Sequence, residues 1–174
     1  MSSAEDQIIE IITDIWQVTD ETIGDADFWD LYFLGKNHEG NLDADFWFLD
    51  RNQELVFFSE FVESGVESSE EHQTHLNAYR ELVKELVSVL KGDRDDSVAQ
   101  DILITFGNND GDISLDTTIN YVDLLAGGFD ETDILNYYLI ETVGDDFVQE
   151  NCETKAERIE HVRKMQEYKE THSN

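Results

Sequence analysis

The sequence predicts an α+β fold, an antiparallel sheet of about five strands in the order α-β-β-β-α-β-β-α-α, with helices packed mainly on one face. Three observations predict it. Segments with helical spacing and segments with strict alternation follow one another in that order. The alternating segments come in groups that short turns can join, without the regular β-α-β succession of a parallel sheet. Finally, 40% of the 174 residues are hydrophobic, so a chain with a formal charge of −30 still removes enough apolar surface from water to fold.

The elements follow in order. From Ala4 to Thr19, Ile8, Ile11, Ile12, Ile15 and Trp16 recur at helical spacing behind Ser3, which is suited to cap a first helix. Asp27 to Gly35 alternates, with Trp29, Leu31 and Phe33 on one side and Asp30 and Tyr32 on the other, and Lys36 to Asn41 supplies a turn. Asp43 to Leu49 alternates again and sets Ala44, Phe46 and Phe48 opposite Asp43, Asp45 and Trp47; Asp50 to Asn52 then turns the chain into a third strand, Leu55 to Phe61. A second helix carries Leu76, Tyr79, Val83, Leu86 and Leu90 and ends at Gly92. Ile102, Ile104 and Phe106 lead into Asn108-Asn109-Asp110-Gly111 and then Ile113, Leu115, Thr117 and Ile119, the clearest hairpin signal in the chain. Asp130 is placed to cap a third helix ending at Gly144, and Glu153 to Glu170 reads as a fourth, weakly amphipathic one.

This order is read as one domain over residues 1–144, with 145–174 as a C-terminal helical extension. The segment from Lys155 onward holds Lys155, Arg158, Arg163, Lys164 and Lys169, close to half of the 11 basic residues, so the acidity lies ahead of it. Such a helix packs back on the body, mediates self-association or stays solvated.

Charge narrows function. With 41 Asp and Glu against 11 Lys and Arg, the surface field repels nucleic acid and anionic membrane and attracts basic proteins. Direct nucleic-acid binding and membrane binding are not expected. No apolar run approaches the ~18 residues of a membrane span, and Met1 to Asp6 lacks the basic and apolar regions of a secretory signal, so a cytoplasmic location is expected. The single Cys152 excludes an internal disulfide, and its neighbours Glu150 and Glu153 make it a poor thiolate.

Enzyme signatures are weak. His72 and His75 stand three apart beside Glu70 and Glu71, a spacing that sets two imidazoles over one metal, but no Cys or further His is spaced to complete the site. A metal-assisted enzyme built on this pair is the alternative reading, against a polar first helical turn. Asn108 to Ile113 echoes the middle of a calcium loop, yet Phe106 and Thr117 occupy its two end positions, which favours a hairpin turn. Ala126-Gly127-Gly128 lacks the lysine and spacing of a phosphate loop. His38, His161 and His172 read as surface residues. No catalytic residue, metal or cofactor is assigned.

The alternating segments instead send Asp30, Tyr32, Asp43, Asp45, Trp47, Asp112, Ser114 and Asp116 to one side. If their strands are neighbours, they make an acidic face with exposed Tyr and Trp. Rings supply burial and carboxylates supply steering, the makings of a protein-binding site. Asp30, Tyr32, Asp43, Asp45, Trp47, Asp112 and Asp116 are therefore the candidate partner-binding residues, against an ordinary solvated face.

Beyond these patterns, Asp101-Ile-Leu-Ile-Thr-Phe, Asp112-Ile-Ser-Leu-Asp-Thr-Thr-Ile-Asn-Tyr-Val-Asp-Leu-Leu and Phe129-Asp-Glu-Thr-Asp-Ile-Leu-Asn-Tyr-Tyr-Leu-Ile resemble the YezG-like family of bacterial immunity proteins. Phe28-Trp-Asp-Leu-Tyr-Phe, Asp45-Phe-Trp-Phe, Val56-Phe-Phe-Ser and Tyr79-Arg-Glu-Leu-Val-Lys-Glu-Leu support it, in the expected order, so the resemblance covers roughly Glu5 to Gly144. Ala99-Gln100-Asp101, Asp133 and Asn136 depart from the family pattern, which has a Trp-Thr-Ser run before the fourth strand and a basic residue and Trp in the following helix. The resemblance implies a non-enzymatic cytosolic antitoxin that blocks the C-terminal domain, often a nuclease, of an LXG-type polymorphic toxin. Such domains are commonly basic because they grip phosphates, which suits an acidic partner.

Overall fold

The computed structural model describes residues 3–24, 26–91, 98–151 and 156–172. Gly92, expected to end the second helix, and Cys152 lie outside them. The chain forms two compact units, Met1–Asn120 and Tyr121–Asn174; the sequence reading has one domain over 1–144 with 145–174 as a helical extension of the same domain. The architecture is α+β around a five-stranded antiparallel sheet.

The first unit opens with α1, Ala4–Ile23, whose start is fixed by a capping box: Ser3 Oγ accepts from the Asp6 amide, and Asp6 accepts in return from the Ser3 amide. Strands β1 (Asp30–His38), β2 (Asn41–Leu49), β3 (Leu55–Phe57), β4 (Asp101–Asn109) and β5 (Asp112–Asn120) form the sheet in the order β3-β2-β1-β4-β5. Two-residue turns join β1 to β2 at Glu39-Gly40 and β4 to β5 at Asp110-Gly111, with positive φ at both residues of each, as tight hairpins require. The expected long third strand stops at Phe57 and continues as a turn of 3-10 helix, Phe58–Glu60, because Asp45 Oδ1 reaches across to accept from the Ser59 amide.

Helix α2, Ser69–Lys91, packs on α1 and on β1 and β2. Tyr79 lies on Phe33, Phe46 and Phe58, with ring centroids 5.0, 6.3 and 5.3 Å away, and its hydroxyl meets Thr19 Oγ1 of α1 at 2.8 Å. Gly35 permits the close approach of α2, since a Cβ there would sit 2.9 Å from Val83 Cγ2. Trp16 of α1 packs on Phe28 and Phe106, and Phe28 on Phe48, a second group of rings beside the one around Tyr79.

The second unit comprises α3 (Glu131–Val143), α4 (Asp145–Asn151) and α5 (Ala156–His172). Asp130 caps α3 reciprocally with Asp133, as the sequence indicates. Helix α5 buries Ile159, Val162 and Met165 along one stripe and is tied to α3 by Arg158, which donates to Asp133 Oδ1 at 2.7 Å and lies 3.4 Å from Asp130 Oδ2. Tyr168 lies against Gly127, where a Cβ would sit 2.8 Å from its ring. Burial raises the Asp133 carboxyl, but the Asp130 amide, Arg158 and His161 outweigh it and hold the group below the ordinary aspartate range.

Candidate partner-binding surface

The register places the sequence-selected residues on one face of the sheet. Phe57, Trp47, Tyr32, Thr105 and Asp116 form one row across the five strands; Asp30 shares the next row with Gly107 and Ser114. Asp45 faces Leu34, Asp43 faces Lys36, and Asp112 begins β5 beyond the Asp30 row. Face membership therefore agrees with the alternation for every one of them.

Exposure does not. Trp47 is 0% exposed and Asp45 is 8% exposed, so neither belongs to an open patch. The indole lies against Tyr32 and Phe57 on the flanking strands, with centroids 6.4 and 6.1 Å away, and the fully buried Leu34 shares its face. A strand buried on both sides reads as an apolar run, and Ala44 to Leu49 is one apart from Asp45. Asp45 Oδ1 accepts from the Phe46 and Ser59 amides at 2.9 and 3.1 Å, yet burial dominates and pushes its carboxyl up to about 6. Tyr32 is half-buried, and burial together with Asp30 raises its hydroxyl pKa. Asp43 lies far along the face, 3.8 Å from Arg80. Only Asp30, Asp112 and Asp116 remain exposed and near one another, at the end where β1 begins.

That end carries what the alternation concealed. Trp29, expected to point into the core with Leu31 and Phe33, precedes β1 and is 77% exposed. Its backbone is fixed: Trp29 O accepts from the Asn108 amide at 2.7 Å, and Asn108 Nδ2 donates to Phe28 O while its Oδ1 accepts from the Gly111 amide. The β2–β3 turn beside it is also rigid, since Asp50 Oδ1 accepts from the Asn52 and Glu54 amides at 2.8 and 3.0 Å. Between these segments lies a cleft of about 550 Å³ bordered by Asp27, Trp29, Asp50, Arg51 and Asp110. A second cleft, of about 420 Å³, shares Asp27, Asp50 and Arg51 and extends to Val66, an exposed apolar side chain. Arg51 is ion-paired with Asp27, and both side chains are largely exposed.

The histidines depart from expectation. His38, read as a surface residue, is 5% exposed, and its Nε2 lies 2.5 Å from Asp101 Oδ1, while Asn120 Nδ2 donates to Asp101 Oδ2 at 2.9 Å. A polar residue ending a strand gives no sequence signal that a buried carboxylate awaits it on the strand beside it in the sheet, three strands later in the chain. His72 and His75 meet through the buried Glu67, whose two oxygens accept from their Nδ1 atoms at 2.8 and 2.7 Å, and Phe58 stacks on His72. A carboxylate orients metal-binding imidazoles in this manner, but among the described residues no three His, Cys, Asp or Glu side chains converge to hold an ion. The arrangement ties the start of α2 to the connection before it.

Among the described residues no helix is long and apolar enough to cross a membrane. No protein-family model matches the chain, and no curated protein matches it. Among solved structures, a chain described as SAICAR synthetase aligns over 96% of this protein and 87% of its own length, with 14% identity and a TM-score of 0.34, a likeness too slight to bear on function.

Proposed function

We propose that this protein is an immunity protein, a cytoplasmic antitoxin that acts by binding a basic toxin domain, of nuclease type, through an acidic surface. The observation that carries the reading is the surplus of 30 negative charges on a chain that nonetheless folds around a dense aromatic core. The resemblance of the sequence segments to the YezG-like family supplies the partner class. A nuclease holds phosphates with Lys and Arg; a rigid array of carboxylates competes for the same side chains and is drawn to them over long range. The exposed Trp29 beside Asp27, Asp50 and Asp110 supports the same reading, because an aromatic anchor adds residence time that charge alone does not give.

The test is co-expression with the C-terminal domain of an LXG-type toxin from the same genome, scoring growth and co-purification at low and high salt. Rescue with a complex that weakens in salt is expected. Continued toxicity with no co-purification at either salt would reject the reading.

A further inference from the structure

We propose that the partner docks at the start of β1, where one of its arginine or lysine side chains stacks on the Trp29 indole between Asp27, Asp50 and Asp110 and displaces Arg51 from Asp27. The proposal rests on the immunity reading above, which supplies the partner.

Three features converge there. Trp29 is the most exposed large hydrophobic side chain among the described residues, and tryptophan is the best aromatic acceptor for a cation. Its backbone is held by Asn108 and the cleft walls by two hydrogen-bonded turns, so docking orders little that is not already ordered. The rim carries Asp27, Asp50 and Asp110 against one cation, Arg51. That cation already models the contact: a guanidinium paired with Asp27 at the cleft mouth, in an exposed ion pair of the kind that is weakly held in water. A guanidinium brought in by a basic protein makes the same pair with the rest of its interface behind it. Arg51 is thus a built-in competitor, and its removal also makes the rim more negative.

The geometry gives two exposed neighbours opposite signs. The experiment measures the dissociation constant of the full chain with the inactivated toxin domain by calorimetry, for wild type, Trp29→Ala and Arg51→Ala, at low and moderate salt. Trp29→Ala is expected to weaken the complex by roughly 30-fold or more, and Arg51→Ala to tighten it by roughly twofold to fivefold. Both side chains are largely solvent-exposed, so circular dichroism and melting should match wild type. Acrylamide quenching gives a second readout: Trp47 is buried and Trp16 only partly exposed, so the quenching lost in Trp29→Ala belongs to the exposed Trp29 indole, which should become shielded in the complex. A tight wild-type complex in which Trp29→Ala changes affinity less than twofold, or in which Arg51→Ala weakens binding, overturns this docking site and leaves the immunity reading standing. No wild-type complex at either salt overturns both.

Discussion

Trp47 and Tyr32 are register partners on β2 and β1, with ring centroids 6.4 Å apart on the same face of the sheet, yet the indole is completely buried and the phenol only half so. The pair therefore sits where this face of the sheet passes from buried at β2 to exposed at β5. Trp47→Ala consequently acts on the fold: it should lower stability by about 3–5 kcal/mol in chemical denaturation. Trp29→Ala should change it by less than ~0.5 kcal/mol. Equal effects of the two would contradict this division.

Asp45 gives stability an unusual pH dependence. Its folded carboxyl titrates at about 6 because of burial, above the ordinary aspartate value. Between the two values the native state binds more protons than the unfolded state, so stability falls as pH rises through that window, and the full penalty applies above it. Asp45→Asn keeps an oxygen for the Phe46 and Ser59 amides and should stabilise the protein at pH 7 by ~2 kcal/mol, with little gain at pH 4. Urea titrations at both pH values measure the difference; a uniform loss of stability would refute it.

Asp133 has the opposite sign. Its folded carboxyl lies below the ordinary range, so its contribution is present above the unfolded value and is lost as pH falls through the folded one. Amide protection factors in α5, taken relative to the intrinsic exchange rate at each pH, should fall on acidification below the ordinary aspartate range in wild type. In Asp133→Asn they should be lower at neutral pH and respond less to acid.

The contact of Gly35 with Val83 can be tested as a cycle. Gly35→Ala forces a methyl group against Val83 Cγ2 and should cost about 1–3 kcal/mol. In a Val83→Ala background the same change should cost at least 0.5 kcal/mol less, because the obstructing methyl groups are gone. Strict additivity would place the strain elsewhere.

Much of this was legible in local chemistry. Asn109-Asp110-Gly111 gave the β4–β5 hairpin, Ser3 and Asp130 gave two helix starts, and alternation assigned the correct face to Asp30, Tyr32, Asp43, Asp45, Trp47, Asp112 and Asp116. Periodicity reports parity and nothing about cover. Two faces of β2 are buried at its centre, so Trp47 obeys the alternation and is still hidden, while Trp29 has the parity of Leu31 and Phe33 but stands beyond the last paired residue. His38 and Glu67 escaped notice for another reason: a buried hydrogen-bonded pair is made by residues distant in sequence or set by loop geometry, and neither leaves a periodic trace.

The two borders of the sheet differ. Strand β3 is three residues long and hands over at once to a turn of 3-10 helix, whereas β5 runs for nine residues as the terminal strand of the other border. A long free rim invites the same rim of another molecule to zip onto it. Asp112 and Asp116 are spaced along that rim, and two such strands laid together would stack carboxylates against carboxylates. Carboxylates along that border disfavour edge-to-edge pairing of copies, and a solution acidified or salted enough to mute that repulsion should lose colloidal stability before the hydrophobic core yields.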